Sequence, residues 1–249
     1  MILRVLRSTL FAALAVAAPL VMAGEPVGKE QLDKFRAALE TPATGLKVES
    51  AQTSEIPGLF EVQFINGPLV YSTAEGNYFI VGDIYAVQAQ GLVNLAEQRR
   101  DTERAEKLAS ISTDDMIVFS PEGKPRTYIS VFTDVTCFYC QKLHQEVPAL
   151  NKQGVEVRYL AYPRGGVDSD GFNKLASAWC ADNPQETLTR LKNKQPAPEK
   201  VCEDNPIAEQ YKLGMELGVR GTPAIVTQDG KMIPGYQSAD ELMVTLGLN

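Results

Sequence analysis

The stretch Ile129-Ser130-Val131-Phe132-Thr133-Asp134-Val135-Thr136-Cys137-Phe138-Tyr139-Cys140 decides how the chain is read. Four residues of strand-forming type, Ile129–Phe132, run into a polar turn and then into a helical pattern from about Thr136 to Leu150. A C-x-x-C at a strand-to-helix junction reads as a redox motif. Thr136 is placed to cap the helix, which sets Cys137 in its first turn. There the backbone N–H groups and the helix dipole favour a thiolate. A thiol so placed can fall from about 8.5 to as little as about 3.5 in pKa. Cys137 is therefore the candidate nucleophile, and Cys140, one turn further in, the thiol that resolves its mixed disulfide. Zinc would need two further ligands at suitable spacing, and Cys180 and Cys202 form no second C-x-x-C. No metal and no cofactor are expected.

The neighbours of the motif limit the chemistry. His144 is the single histidine, two turns along the helix from Cys137, or roughly 10 Å away. That is too far for a thiolate–imidazole pair and speaks against a cysteine hydrolase. His144 is expected on the helix surface. Asp134 can cap the helix or influence proton transfer. Gly221-Thr222-Pro223 opens the strand Ala224–Thr227, and spacing alone leaves the isomer of that proline open. A cis bond would present the Thr222 backbone to an extended peptide. Around these elements the order is α/β. Strands are expected at Met116–Phe119, Val155–Ala161 and Lys231–Tyr236, and helices at Gly171–Ala181, Ala208–Leu217 and Ala239–Leu246. A stretch rich in Pro and Lys separates the first two of those helices.

The first part of the chain is organised differently. Lys29–Glu40 sets Leu32, Phe35 and Leu39 on one helical face, and Thr41-Pro42 ends it. Strands follow at Leu46–Ser50, Phe60–Phe64, Leu69–Tyr71, Tyr78–Val81 and Ile84–Val87, with Asn66-Gly67 as a hairpin signal. A helix and meander of this size is small for a self-sufficient core and suggests pairing with a second copy. Leu92–Ser110 is helical by propensity, and its run Gln98–Arg104 holds no apolar residue. A helix polar all round reads as a solvent-crossing spacer between domains.

Arg4 and Arg7, the apolar run Leu10–Met22 and the small-x-small site Val21-Met22-Ala23 read as a cleavable secretory leader. The apolar run is short of the roughly 20 residues that span a bilayer. The expected division is thus a leader at 1–23, an N-terminal dimerisation domain at 24–90, a linker helix at 91–112 and a catalytic domain at 113–249. The whole chain carries a net charge of −7, which speaks against nucleic acid as the main partner. Export places the four cysteines in a compartment that permits disulfides. Cys180 and Cys202 then most simply pair with each other and staple an irregular insertion, for about 3 kcal/mol by loop-closure entropy.

The segment Phe132–His144 resembles the active-site segment of the bacterial periplasmic disulfide isomerases of the DsbC/DsbG type. So do Arg158–Gly166, Ala178-Trp179-Cys180, Leu217–Ala224 and Pro234-Gly235-Tyr236. The resemblance implies a C-terminal thioredoxin fold with a helical insertion, joined by a linker helix to a small N-terminal α+β domain that forms a homodimer. It implies Cys137 as nucleophile, Cys140 as resolving thiol, and Thr222-Pro223 as the cis-proline loop facing them. It also implies Cys180–Cys202 as a structural disulfide, misoxidised secreted proteins as substrates, and a DsbD-like electron donor in the inner membrane. Phe138 and Tyr139 are counted with Thr222 and Pro223 as substrate-facing residues. The family's isomerases usually carry Gly-Tyr between the cysteines and the DsbG branch Pro-Tyr, so Phe138 departs from both. Thr222 fits the isomerases better than the monomeric DsbA oxidases, which usually carry Val there. The function implied is isomerisation or reduction of non-native disulfides in the periplasm. The alternatives are a DsbG-like reductase protecting single cysteines from sulfenic acid and a dimeric holdase.

Overall fold

The computed structural model describes residues 24–42, 44–65, 67–89 and 91–248. The expected leader at 1–23 and Asn66 of the expected hairpin lie outside the described residues. The chain divides into two compact units, with the break between Ile84 and Tyr85.

In the first unit, helix α1 (Lys29–Leu39) lies against an antiparallel sheet of β1 (Val48–Thr53), β2 (Leu59–Phe64), β3 (Leu69–Thr73) and β4 (Phe79–Val81), in that order. The helical stripe read from Phe35 and Leu39 is buried, and it meets Val48, Val62, Phe64 and Val70 from the sheet. Phe35 and Phe60 add a tilted ring contact at 5.5 Å. β4 ends the sheet with Phe79, Ile80 and Val81 all exposed.

The second unit starts with a hairpin, β5 (Tyr85–Gln88) and β6 (Gly91–Asn94), followed by α2 (Leu95–Ala109). The expected linker helix is therefore shorter than 91–112. Leu92 and Val93 pair with Val87 and Ala86 as strand, and Asn94 caps the helix by accepting from the Glu97 N–H at 3.0 Å. Nor is α2 simply a solvent-crossing rod. Leu108 joins the core cluster of Phe132, Leu160 and Val226. Arg104 is 5% exposed; its Nε donates to the Gly230 carbonyl at 2.9 Å and its guanidinium pairs with Asp101 and Glu97. A polar helix can bury a face when its charge is neutralised within that face, and apolar periodicity misses this.

The central sheet has the order β11-β10-β8-β9-β7, formed by β7 (Ile117–Phe119), β8 (Thr127–Thr133), β9 (Val155–Ala161), β10 (Ala224–Thr227) and β11 (Met232–Pro234). β8 and β9 run parallel and the other pairs antiparallel. Strand alternation sends Ile129 and Val131 to one face and Phe132 to the other, so β8 is buried on both sides. Helices α3 (Phe138–Lys152), α4 (Asp170–Trp179) and α7 (Ala239–Thr245) cover the first face with Leu143, Leu150, Leu175 and Leu242. α6 (Ile207–Glu216) completes the helices of the α/β, thioredoxin-type arrangement together with α5 (Pro184–Lys192).

α5 occupies the stretch read as irregular and rich in Pro and Lys. Asn183 accepts from the Glu186 N–H at 3.2 Å, and Pro184 stands in the first turn. That is a cap residue, Pro, and an acid three residues on, a helix-start signal present in the sequence but overshadowed by the lysines. A disulfide joins Cys180 to Cys202, 22 residues apart, and encloses α5. Replacing both cysteines by alanine should cost about 3 kcal/mol by loop entropy, read as a lower urea midpoint. An unchanged midpoint would mean that packing alone holds the insertion.

Candidate active site

β8 ends at Thr133, and the next four residues turn the chain into α3. Asp134 shapes this turn. Its Oδ1 accepts from the Thr136 N–H at 2.7 Å and the Thr136 hydroxyl at 2.8 Å; its Oδ2 accepts from the Arg164 N–H at 2.9 Å. Burial opposes ionisation of Asp134, but those N–H and hydroxyl donors and the Arg164 charge win and hold its pKa below the ordinary carboxylate value. The expected cap is thereby displaced by one residue. Thr136 is spent on Asp134, and Cys137 is itself the N-cap of α3, its Sγ accepting from the Cys140 N–H at 3.4 Å.

Cys137 is 3% exposed and Cys140 fully buried, and both are free thiols. Two groups converge on the Cys137 sulfur besides that N–H. The Cys140 side chain favours the ionised sulfur, and while protonated the Cys137 thiol donates to the Thr222 carbonyl at 3.2 Å. The Thr222–Pro223 peptide bond is cis. The hydrogen bond from Cys140 is the largest influence on Cys137 and outweighs its burial, so the Cys137 pKa is pushed down to about 5. Cys140 moves the opposite way. Burial raises its thiol pKa, and giving its proton to Cys137 raises it further. Two chemically identical thiols three residues apart thus hold very different protonation states.

Phe138 and Tyr139 are 65% and 56% exposed and stand beside the sulfur as an aromatic rim. Their rings meet edge-on at 5.4 Å, Tyr139 stacks on Tyr236, and Lys142 lies 4.3 Å from the centre of the Tyr236 ring. Tyr236 is tied down by its hydroxyl, which donates to Glu146 Oε1 at 2.7 Å.

His144 corrects the surface expectation. It is buried, with Nδ1 3.1 Å from the Tyr159 hydroxyl and Nε2 3.0 Å from Thr189 Oγ1. Burial, assisted by the Lys192 charge, pushes its pKa down to about 4, so the ring is neutral near pH 7. The partners are residues of β9 and α5, 15 and 45 positions away, so a helical wheel of α3 could not show them. Lys192 was also missed. It is 2% exposed at the end of α5, one turn after the buried Leu188. The i, i+4 spacing of the two was the available signal, once α5 itself had been seen.

Residues 113–247 match the family model of a thioredoxin-like domain, and residues 23–97 match that of the disulfide bond isomerase protein N-terminal domain. The thiol:disulfide interchange protein DsbC of Dickeya dadantii is 38% identical over 214 residues, covering 84% of this chain and 86% of that one. DsbC of Escherichia coli K12 is 34% identical over 198 residues, 80% of each. A linker-deletion variant of ScsC from Proteus mirabilis shares the fold at a TM-score of 0.52 and 18% identity, covering 61% of this chain and 83% of that one. Both family models match in the order the two units follow, and the identity to DsbC proteins spans both. The chain therefore belongs to the DsbC family of thiol:disulfide interchange proteins and is a thiol-disulfide oxidoreductase of the isomerase type.

Proposed function

We propose that Cys137 is the attacking thiolate and Cys140 the resolving thiol in the isomerisation of non-native disulfides of exported proteins. The observation that carries this is the setting of the Cys137 sulfur. It caps α3, accepts from the Cys140 N–H, is favoured as a thiolate by the Cys140 side chain, and lies beside the cis-proline loop, where the thiol form donates to the Thr222 carbonyl. In the first step Cys137 Sγ bonds to one sulfur of a substrate disulfide, the substrate S–S bond breaks, and its other sulfur leaves as a thiolate. A substrate thiolate that then attacks the mixed disulfide yields a rearranged substrate and restores Cys137. If Cys140 attacks instead, the substrate leaves reduced and a Cys137–Cys140 disulfide remains. Thr222 and Pro223 would hold the substrate backbone, and Phe138 and Tyr139 its flanking side chains.

The division at 24–90, 91–112 and 113–249 belongs to the same proposal, with residues 24–90 joining two copies and the helix of the linker confined to Leu95–Ala109. The exposed apolar edge strand β4 supports such pairing. A periplasmic site of action, reached through the leader at 1–23, and an inner-membrane donor of the DsbD kind that returns the pair to the dithiol complete it. Among the described residues no helix is long and apolar enough to cross a membrane.

The test is the pH dependence of iodoacetamide alkylation at Cys137 in the reduced protein, followed by mass. Only the thiolate reacts, so the rate should be level from pH 6 upward and fall below the pKa of about 5. An ordinary thiol would have its midpoint near 8.5, and a midpoint above about 8 here would overturn the assignment.

A further inference from the structure

Lys192 is a fully enclosed ammonium with no part in the chemistry above. Its Nζ donates to Thr133 Oγ1 and to the Asp134 carbonyl at 3.1 Å, the two residues that lead from β8 into the active-site turn. The Asp134 carboxylate is turned away toward Thr136 and Arg164. The acceptors Lys192 does have are therefore neutral oxygens, a costly arrangement for a buried cation. The Asp134 carbonyl that Lys192 holds also accepts from the Cys137 N–H at 3.3 Å, so the ammonium lies against the turn that carries both cysteines. From there its charge favours the Cys140 thiolate. The Tyr159 ring, 5.7 Å from Nζ, closes the same space.

We propose that Lys192 is a positioning residue for Cys140, the buried counter-charge that stabilises the anion formed when Cys140 resolves the mixed disulfide. The proposal rests on Cys140 being the resolving thiol. In that step the Cys140 thiol releases its proton to solvent and its sulfur bonds to Cys137 Sγ. The bond from Cys137 to the substrate sulfur breaks, and that sulfur leaves with the electron pair. The enzyme dithiol is oxidised to a disulfide and the substrate sulfur is reduced. A buried, neutral surrounding would make the Cys140 anion very costly, and an ammonium beneath the turn lowers that cost. Lys192 thus tips the balance between the two exits, from isomerisation toward reduction.

The groups that face Lys192 are Cys137, Cys140, Asp134, Tyr159 and His144. Between pH 6 and 10 Asp134 stays ionised, while His144 and Tyr159 stay neutral. Cys137 is tied up in the mixed disulfide. Burial pushes Lys192 itself down to about 8, so its charge is present below that pH and is lost above it.

The probe is the adduct of Cys137 with 5-thio-2-nitrobenzoate, whose coloured thiolate is released when Cys140 attacks. At pH 7 the Lys192→Met variant should release it at least about tenfold more slowly than the wild type, because a nearby opposite charge is worth one pKa unit or more. The difference should shrink toward none above pH 9. The wild-type rate should rise with pH and level off near 8, whereas the variant rate should rise without a break. The wild-type profile stands even if the variant does not fold, and a straight rise through pH 8 would overturn the proposal. So would equal rates in the two proteins, or a slowing that is the same at pH 6 and pH 10, the mark of altered packing. Cys140→Ser tests the underlying assignment separately. If that variant still releases the probe, Cys140 is not the resolving thiol.

Discussion

Cys137→Ala reduces the refolding of a scrambled multi-disulfide substrate to the rate set by the buffer thiols alone, a loss of about a thousandfold or more for removal of a nucleophile. No other sulfur can take over. Cys140 is fully buried with a raised pKa, and Cys180 and Cys202 are bonded to each other. Cys140→Ala should behave differently, keeping the attack and losing the reductive exit. The low pKa of Cys137 also has a definite use. Lowering a thiol from about 8.5 to about 5 increases its thiolate fraction at pH 7 roughly thirtyfold. It also makes that thiolate roughly fortyfold less nucleophilic, since nucleophilicity falls with a Brønsted slope of about 0.4–0.5. The two effects nearly cancel in the attack. What remains is a sulfur that stays ionised in mild acid and leaves readily from the mixed disulfide. An isomerase needs both, because it must let go of many partners before the right pairing forms. Activity of Cys137→Ala above the buffer background would sink this account.

Gly230→Ala lowers the stability of the second unit by roughly 3–5 kcal/mol. Gly230 has φ of +86°, and a Cβ there would lie 1.7 Å from the Asp101 carbonyl oxygen in α2. The left-handed conformation alone costs about 1–2 kcal/mol for a residue with a side chain. Overpacking against a backbone adds about 1–3 kcal/mol, because backbone cannot rotate out of the way. Displacing α2 also stretches the bond from Arg104 Nε to the Gly230 carbonyl and leaves a buried guanidinium short of an acceptor. Urea unfolding of the full chain, followed by tryptophan fluorescence, reads the effect through Trp179 in α4 of this unit. A loss under about 1 kcal/mol would mean that α2 is docked loosely and moves aside.

Much of this molecule could be read from neighbours in the chain. Val155–Ala161 and Ala224–Thr227 are strands at the residues expected: the first is a short stretch that begins in alternation, Val155-Glu156-Val157-Arg158, right after Gly154, and the second is a short apolar run rich in β-branched residues that follows Pro223. α1 follows from the spacing of Phe35 and Leu39. Shortfalls arose where a local signal competed with a louder one. α5 was hidden by its lysines, and β6 by the helical propensity of the residues after it. The active-site turn shows the limit at the scale of one residue. Thr136 is the cap that residue type favours, but the Asp134 carboxylate, held in place by the Arg164 N–H from 30 positions away, takes Thr136 and leaves the cap to Cys137.

The sequence by itself determined the strand-to-helix junction, the C-x-x-C placed on it and the α/β order. These depend on residues within a few positions of one another, and periodicity, capping and turn chemistry act at that range. Only the tertiary structure decided which charged and polar groups lose their water. His144 is neutral because Tyr159 and Thr189 enclose it, and Arg104 is buried because Gly230 meets it. Lys192 lies beneath the active-site turn because its ammonium bonds to Thr133 and to the Asp134 carbonyl, 59 and 58 residues away. Desolvation is a property of everything packed around a group, so the two unlike thiols and the buried cation beneath their turn were settled by folding, although the four cysteines themselves were plain in the sequence.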